Sequence, residues 1–145
     1  ASFSATMISA KKSTLRLATA NSRTGWHQDG AFLGSTTLTV NVWVALTPCG
    51  LDAPGVEVFG RAFPDIVTTG TGGAEFTWSV GDEHAASLDG PLEVPTFEPG
   101  DALLFDQLTL HRTHITPSMR HRRYAIESWF FAPSTYPMAQ VPILF

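Results

Sequence analysis

One cysteine, Cys49, stands among 145 residues, so no disulfide can close within the chain. A reducing compartment, the cytoplasm, is the simplest expectation. Cys49 lies between Pro48 and Gly50, in a turn with no base beside it, and reads as structural. Charge is also scarce: charged residues make up 15% and the formal net charge is -4. Nucleic acid as a partner is not expected, because phosphate binding needs clustered Lys and Arg. The one basic cluster, Arg120 to Arg123, is short. No run approaches the ~18 apolar residues of a membrane span. The opening segment, Ala1 to Ala10, lacks the basic start and apolar stretch of a secretory leader. Helical periodicity is missing too, with only Asp82 to Leu88 offering a turn or two. What remains is 43% hydrophobic residues in a length suited to one globular domain.

Strand signals fill the chain. Thr36 to Leu46 alternates, with Leu38, Val40, Val42, Val44 and Leu46 on one face. The other face, Thr37, Thr39, Asn41, Trp43 and Ala45, is mixed in polarity, as a pocket lining would be. Further strands are predicted over Thr14 to Ala20, Val56 to Phe59, Phe76 to Val80, Leu92 to Phe97, Ala102 to Phe105, Thr109 to Thr113 and Tyr124 to Phe131. Turn residues separate them, among them Asp29-Gly30, Pro48-Cys49-Gly50, Asp89-Gly90-Pro91 and Pro99-Gly100-Asp101. About eight short strands with regular turns predict an all-β sandwich, jelly roll or barrel with little helix.

The chemistry-bearing residues begin with His27-Gln28-Asp29. Residues two apart on an extended chain share a face, so the imidazole and the carboxylate can reach one metal ion. Gly30 lets the chain turn at once. Alone, such a triplet is also a common surface turn. A second element joins it: Pro99-Gly100-Asp101 opens an apolar strand, and the strand after the next turn carries His111. A histidine there is either a hydrogen-bonded core residue or the third member of a two-histidine, one-carboxylate triad, which leaves three positions of iron(II) open. His114, three residues on, would face the opposite way. His84 and His121 read as solvated loop residues. Arg120, Arg122 and Arg123 precede the last strand, where an arginine could grip a dicarboxylate. Thr113 shares the face of His111 and could add a hydroxyl.

These segments together resemble the phytanoyl-CoA dioxygenase family of iron(II)- and 2-oxoglutarate-dependent oxygenases. The resemblance rests on Trp26-His27-Gln28-Asp29-Gly30, Asn41-Val42-Trp43-Val44-Ala45-Leu46, Pro54-Gly55-Val56-Glu57-Val58, Gly100 to Phe105 running on to His111, and Arg123-Tyr124-Ala125-Ile126. It spans about residues 14 to 135. It implies a double-stranded β-helix, a cupin-like jelly roll. It implies His27, Asp29 and His111 as iron ligands and 2-oxoglutarate as co-substrate, with its far carboxylate on an arginine. Spacing from the distal histidine points to Arg122, and the flanking residues point to Arg123; neighbours in a strand face opposite ways, so one of the two is meant. Thr113, Trp43 and Gln28 match positions around the co-substrate. The implied reaction hydroxylates a small organic substrate with O2, releasing succinate and CO2. Asp29 disfavours the related halogenases, which leave that position open.

Two departures stand out. The family carries helices ahead of the core, whereas only 26 residues precede His27. The chain therefore reads as a single oxygenase core over residues 1 to 145 without the helical front, with an uncovered apolar face through which copies could associate. The family's Pro-Gly-Ser-His is also replaced by Phe59-Gly60-Arg61-Ala62. The competing readings are a metal-binding jelly roll without oxygenase turnover and a non-enzymatic β-sandwich.

Overall fold

The computed structural model describes residues 8–10, 13–22, 24–136 and 142–144, the first and last of these as backbone only. The segment read as no leader thus lies outside the described residues, save the backbone of 8–10. Two antiparallel sheets carry the fold. The larger holds β1 (Ile8–Ala10), β2 (Thr14–Ala18), β3 (Thr39–Ala45), β6 (Ala102–Asp106), β8 (Arg123–Phe131) and β9 (Pro142–Leu144). The smaller joins β4 (Gly55–Phe59), β5 (Leu92–Glu93) and β7 (His111–His114) in the order β5-β4-β7. Strands distant in sequence pair in space: β3 lies between β6 and β8, and β2 runs along the far side of β8. The sheets face each other, since Trp43, Ala45, Phe105 and Ala125 of the larger pack in one cluster with Val56 and Val58 of the smaller. This is the jelly roll expected from the alternating pattern.

Strand β3 turns its mixed face inward. Thr39, Asn41, Trp43 and Ala45 are buried, while Val40, Val42 and Val44 are half-exposed. Its register partners continue the outer face: Leu104 opposite Val42, Ile126 opposite Val44, and Leu15 opposite Ile126. Leu15 and Leu104 are each 63% exposed, so the more apolar face of this sheet is the one toward water. The pairing β6–β3 is reached through a tight turn in which Gly100 takes φ +99° and its N–H donates to the Ala45 carbonyl at 2.8 Å. Only glycine adopts that conformation without strain.

Three predicted strands differ. Residues 76–80 form turns, because the Ser79 hydroxyl accepts from the Phe76 N–H at 2.9 Å and donates back to the Phe76 carbonyl at 3.0 Å. Such local bonding competes with a ladder. The segment Leu92 to Phe97 is strand only over Leu92–Glu93, and Pro95, which cannot donate to a ladder, interrupts it. Strand β7 begins at His111 rather than Thr109, since Asp106 Oδ1 takes the Leu108 N–H and the Thr109 hydroxyl into a turn. Two short helices appear: α1 (Gly30–Leu33), where a simple turn was predicted, and α2 (Asp82–Ser87), within the one helical candidate. No helix among the described residues is long and apolar enough to cross a membrane.

Candidate metal centre

His27 and His111 are brought together by the backbone. The His27 N–H donates to the His111 carbonyl at 2.9 Å, and the His111 N–H donates to the His27 carbonyl at 3.0 Å. Residues that exchange both bonds stand directly opposite, and the two rings lie 4.2 Å apart. Asp29 arrives differently from the extended alternation predicted for it. Its backbone is helical (φ −58°, ψ −32°), because α1 starts at the next residue. The turn swings the carboxylate back until Oδ1 is 3.8 Å from His27 Nε2. Ligand atoms of His27, Asp29 and His111 then lie within 4.8 Å of one another.

Gly30 permits this turn by its size. A Cβ there would sit 2.9 Å from Ile66 Cδ1 and 3.0 Å from the Gln107 carbonyl oxygen, which accepts the Gly30 N–H at 2.8 Å. The glycine is needed for close approach rather than for an unusual φ.

Each imidazole is set by its other nitrogen. His27 Nδ1 lies 2.9 Å from the Gly25 carbonyl, and His111 Nδ1 lies 3.0 Å from the Thr109 carbonyl. A carbonyl only accepts, so each Nδ1 donates, and in the neutral imidazole the lone pair is then on Nε2. Burial, and then the neighbouring His111, push His27 down to about 4 against the opposing pull of Asp29. The ring is neutral at pH 7, as a metal ligand must be.

Asp29 is 1% exposed. Its Oδ2 accepts from Trp129 Nε1 at 2.7 Å and from Asn41 Nδ2 at 2.9 Å. Among the described residues its Oδ1, equally buried, has no hydrogen-bond partner. A buried anionic oxygen without a donor is costly. One that faces two imidazole lone pairs fits a divalent cation, and the donor set is that of a facial triad. Asn41 also donates to Glu127 Oε1 at 2.8 Å, and the buried Glu127 carboxylate is paired with Arg16.

A cavity of about 130 Å³ opens beside the two histidines, and Trp43, Thr113, Arg16 and Arg123 help to line it. The structure separates the two arginines between which the sequence was divided. Arg123 is 5% exposed and holds its guanidinium 5.2 Å from the centre of the Trp43 ring. Burial lowers its pKa, and its Nε has no partner among the described residues. Arg122 is exposed and lines a separate cavity of about 550 Å³ with Cys49, Asp52 and His121. Gln28, read as a co-substrate neighbour, does not line the histidine cavity. Its Nε2 donates to the Leu108 carbonyl at 2.6 Å and its Oε1 accepts the Val67 N–H at 2.8 Å, so it ties the following loop to the β6–β7 turn. His114 faces away from His111 and lies 3.5 Å from Glu57. His84 is half-buried on α2, and His121 is exposed.

Sequence reasoning missed Trp129, Glu127 and Arg16. The available signal was an acidic residue, Glu127, within a strand rich in aromatic and aliphatic residues, two positions before an indole that shares its face.

Neither a family model nor a curated protein matches the chain. Solved structures do. EctD from S. alaskensis in its apo form is 16% identical with a TM-score of 0.74, over 92% of this chain and 48% of that one. The non-heme monooxygenase ThoJ, also apo, is 16% identical with a TM-score of 0.64, over 97% and 54%. EvdO2 from Micromonospora carbonacea var. aurantiaca, complexed with 2-oxoglutarate, is 15% identical with a TM-score of 0.59, over 92% and 51%. The chain spans about half the length of these structures. The chain therefore shares the cupin-like jelly-roll fold of these structures, and the site must be argued from this chain's own side chains.

Proposed function

We propose that the chain is the core of an iron(II)- and 2-oxoglutarate-dependent oxygenase of the phytanoyl-CoA dioxygenase kind. It hydroxylates a small organic substrate with O2 and releases succinate and CO2. The observation that carries this reading is Asp29 Oδ1, buried without a donor and converging with two imidazole lone pairs. His27, Asp29 and His111 would hold the iron, which when bound supplies the activation of dioxygen that side chains cannot.

The chain's own groups do the rest. The Gly25 and Thr109 carbonyls fix both imidazole tautomers. Trp129 and Asn41 occupy Asp29 Oδ2 and leave Oδ1 as the ligand atom. Arg123 offers a buried, underused guanidinium to the far carboxylate of 2-oxoglutarate, Thr113 adds a hydroxyl, and Trp43 forms a wall. The 2-oxoglutarate complex of the structurally similar EvdO2 supports that choice of co-substrate. A single buried thiol suits the cytoplasm.

The test is anaerobic addition of iron(II) and 2-oxoglutarate. A weak visible charge-transfer band should appear and vanish in His111→Ala. No band in the parent protein refutes the reading. A second reading is a metal-binding jelly roll without turnover, since the His27, Asp29 and His111 side chains by themselves define only a cation site. It predicts metal uptake with no succinate formed from 2-oxoglutarate under O2.

A further inference from the structure

A set of aromatic rings extends outward from His27. Trp78 meets the His27 imidazole edge-on at 5.6 Å, and Phe32 lies 6.4 Å from the same ring. Phe32 meets Trp78 edge-on at 5.6 Å, while Phe76 stacks on Trp78 at 4.9 Å with the planes 5° apart. The assembly starts against a metal-binding imidazole and ends in solvent, where Phe32 and Phe76 are 45% and 48% exposed. It is held in place beforehand. Phe32 rides on α1, directly after Asp29. The Ser79 turn presents Phe76 and Trp78 together, and the Val80 N–H anchors that turn to the Trp26 carbonyl at 2.8 Å. Ordered aromatic surface left in water beside a reactive centre marks a binding site rather than core packing.

Charge and geometry narrow the ligand. Arg16, Arg112, Arg123 and Glu127 line the cavity that His27 and His111 share; Arg16 is paired with Glu127 and Arg112 with Glu57, which leaves Arg123 to receive an anion there. The arginine–ring contacts among the described residues fall on Trp129, Phe63, Trp26 and Trp43, and none falls on Phe32, Phe76 or Trp78. A cation cage needs rings facing a common centre. Phe76 and Trp78 instead lie parallel and in contact, with no gap for an ammonium between them. What they offer is a flat face on which a further ring can continue the stack.

We propose that Phe32, Phe76 and Trp78 form the docking platform for the primary substrate, and that this substrate is a planar, largely apolar ring compound. The proposal rests on the oxygenase reading above and assigns the substrate class of that same site.

The probe is 2-naphthol, uncharged and planar, titrated into the metal-free protein and into the Mn(II)-loaded protein while the naphthol protons are followed by NMR. Decahydro-2-naphthol, its saturated counterpart, and tetramethylammonium serve as comparators. Naphthol should bind several-fold more tightly than either. Trp78→Leu and Phe76→Ser should each weaken it about three- to tenfold, the worth of one stacking contact. Phe76 is exposed, so its replacement leaves the core intact. In the Mn(II)-loaded protein the bound naphthol protons should relax faster, and the effect should vanish in His111→Ala. Equal binding of the saturated alcohol, preference for tetramethylammonium, or parent-like binding by both variants overturns the proposal. So does Mn(II) uptake without faster relaxation of bound naphthol. Failure to take up Mn(II), or to form the 2-oxoglutarate band, strikes the oxygenase reading instead, and the metal-free titration still decides the platform.

Discussion

Replacing Trp129 by Phe removes the indole N–H together with the five-membered ring that carries it, and keeps one six-membered ring. That N–H donates at 2.7 Å to Oδ2 of Asp29, a carboxylate 1% exposed to solvent. Hydrogen bonds to a charged group contribute about 1.5–3 kcal/mol. Asn41 would remain the only donor to Oδ2 among the described residues, and it is shared with Glu127. The carboxylate would then lose its fixed orientation, so Oδ1 would no longer be presented alone to the metal. Lost supporting bonds of this kind lower metal affinity about 10- to 100-fold, which agrees with the hydrogen-bond figure. The metal-free protein should also melt about 3–12 °C lower, since 1 kcal/mol moves a domain of this size by about 2–4 °C. The assay is calorimetric titration with Co(II), which is slow to oxidise, alongside thermal melts of the metal-free protein. A Co(II) affinity within twofold of the parent would refute the argument that Trp129 orients Asp29, whatever happens to the melting temperature.

Three further outcomes are expected. Arg123→Leu should weaken 2-oxoglutarate binding about 30-fold or more, the cost of losing a buried charge-assisted partner, whereas Arg122→Leu, at an exposed side chain lining another cavity, should stay within threefold; a fluorescence or band titration distinguishes them, and equal losses would sink the assignment. His27 lies at about 4 against an ordinary 6.5, so between those values the unfolded chain binds the extra proton and the folded chain does not. Stability of the metal-free protein should therefore fall by roughly 3 kcal/mol as pH drops from about 6.5 to about 4, and urea melts of His27→Gln should lack that slope. Gly30→Ala places a methyl 3.0 Å from the Gln107 carbonyl, so it should cost about 1–3 kcal/mol and weaken metal binding; a parent-like melting curve would mean that the α1 turn relaxes freely.

Much of the fold could be read along the chain because period-two alternation is local. Thr39–Ala45, Ala102–Asp106 and Arg123–Phe131 come within three residues of the predicted strands. Failures cluster where side chains bond their own backbone. Ser79 and Asp106 convert β-prone segments into turns, and hydrophobicity is silent about such bonds. At the site, His27, Asp29 and His111 were chosen as ligands from residue type and order. The motif also put Gln28 beside the co-substrate; its side chain bonds Leu108 and Val67, neighbours that no local pattern names. The partition of Arg122 from Arg123 followed only once strand β8 had a defined inner face.

By itself, then, the sequence determined the alternating strands, the turns between them and the residue types able to hold a metal, because each depends on neighbours a few positions apart. Tertiary structure alone decided which oxygen of Asp29 stays without a donor, since its companion's donors, Asn41 and Trp129, arrive from strands 12 and 100 residues away. It also decided that the more apolar face of β3 points to water and the mixed face inward. Local hydrophobicity alone favours the reverse, although the mixed polarity of the inward face already reads as a pocket lining. The inner face carries Asn41, bonded to Asp29 and Glu127, and Trp43, packed with Phe97 and Val56, and these contacts exist only after the two sheets have closed.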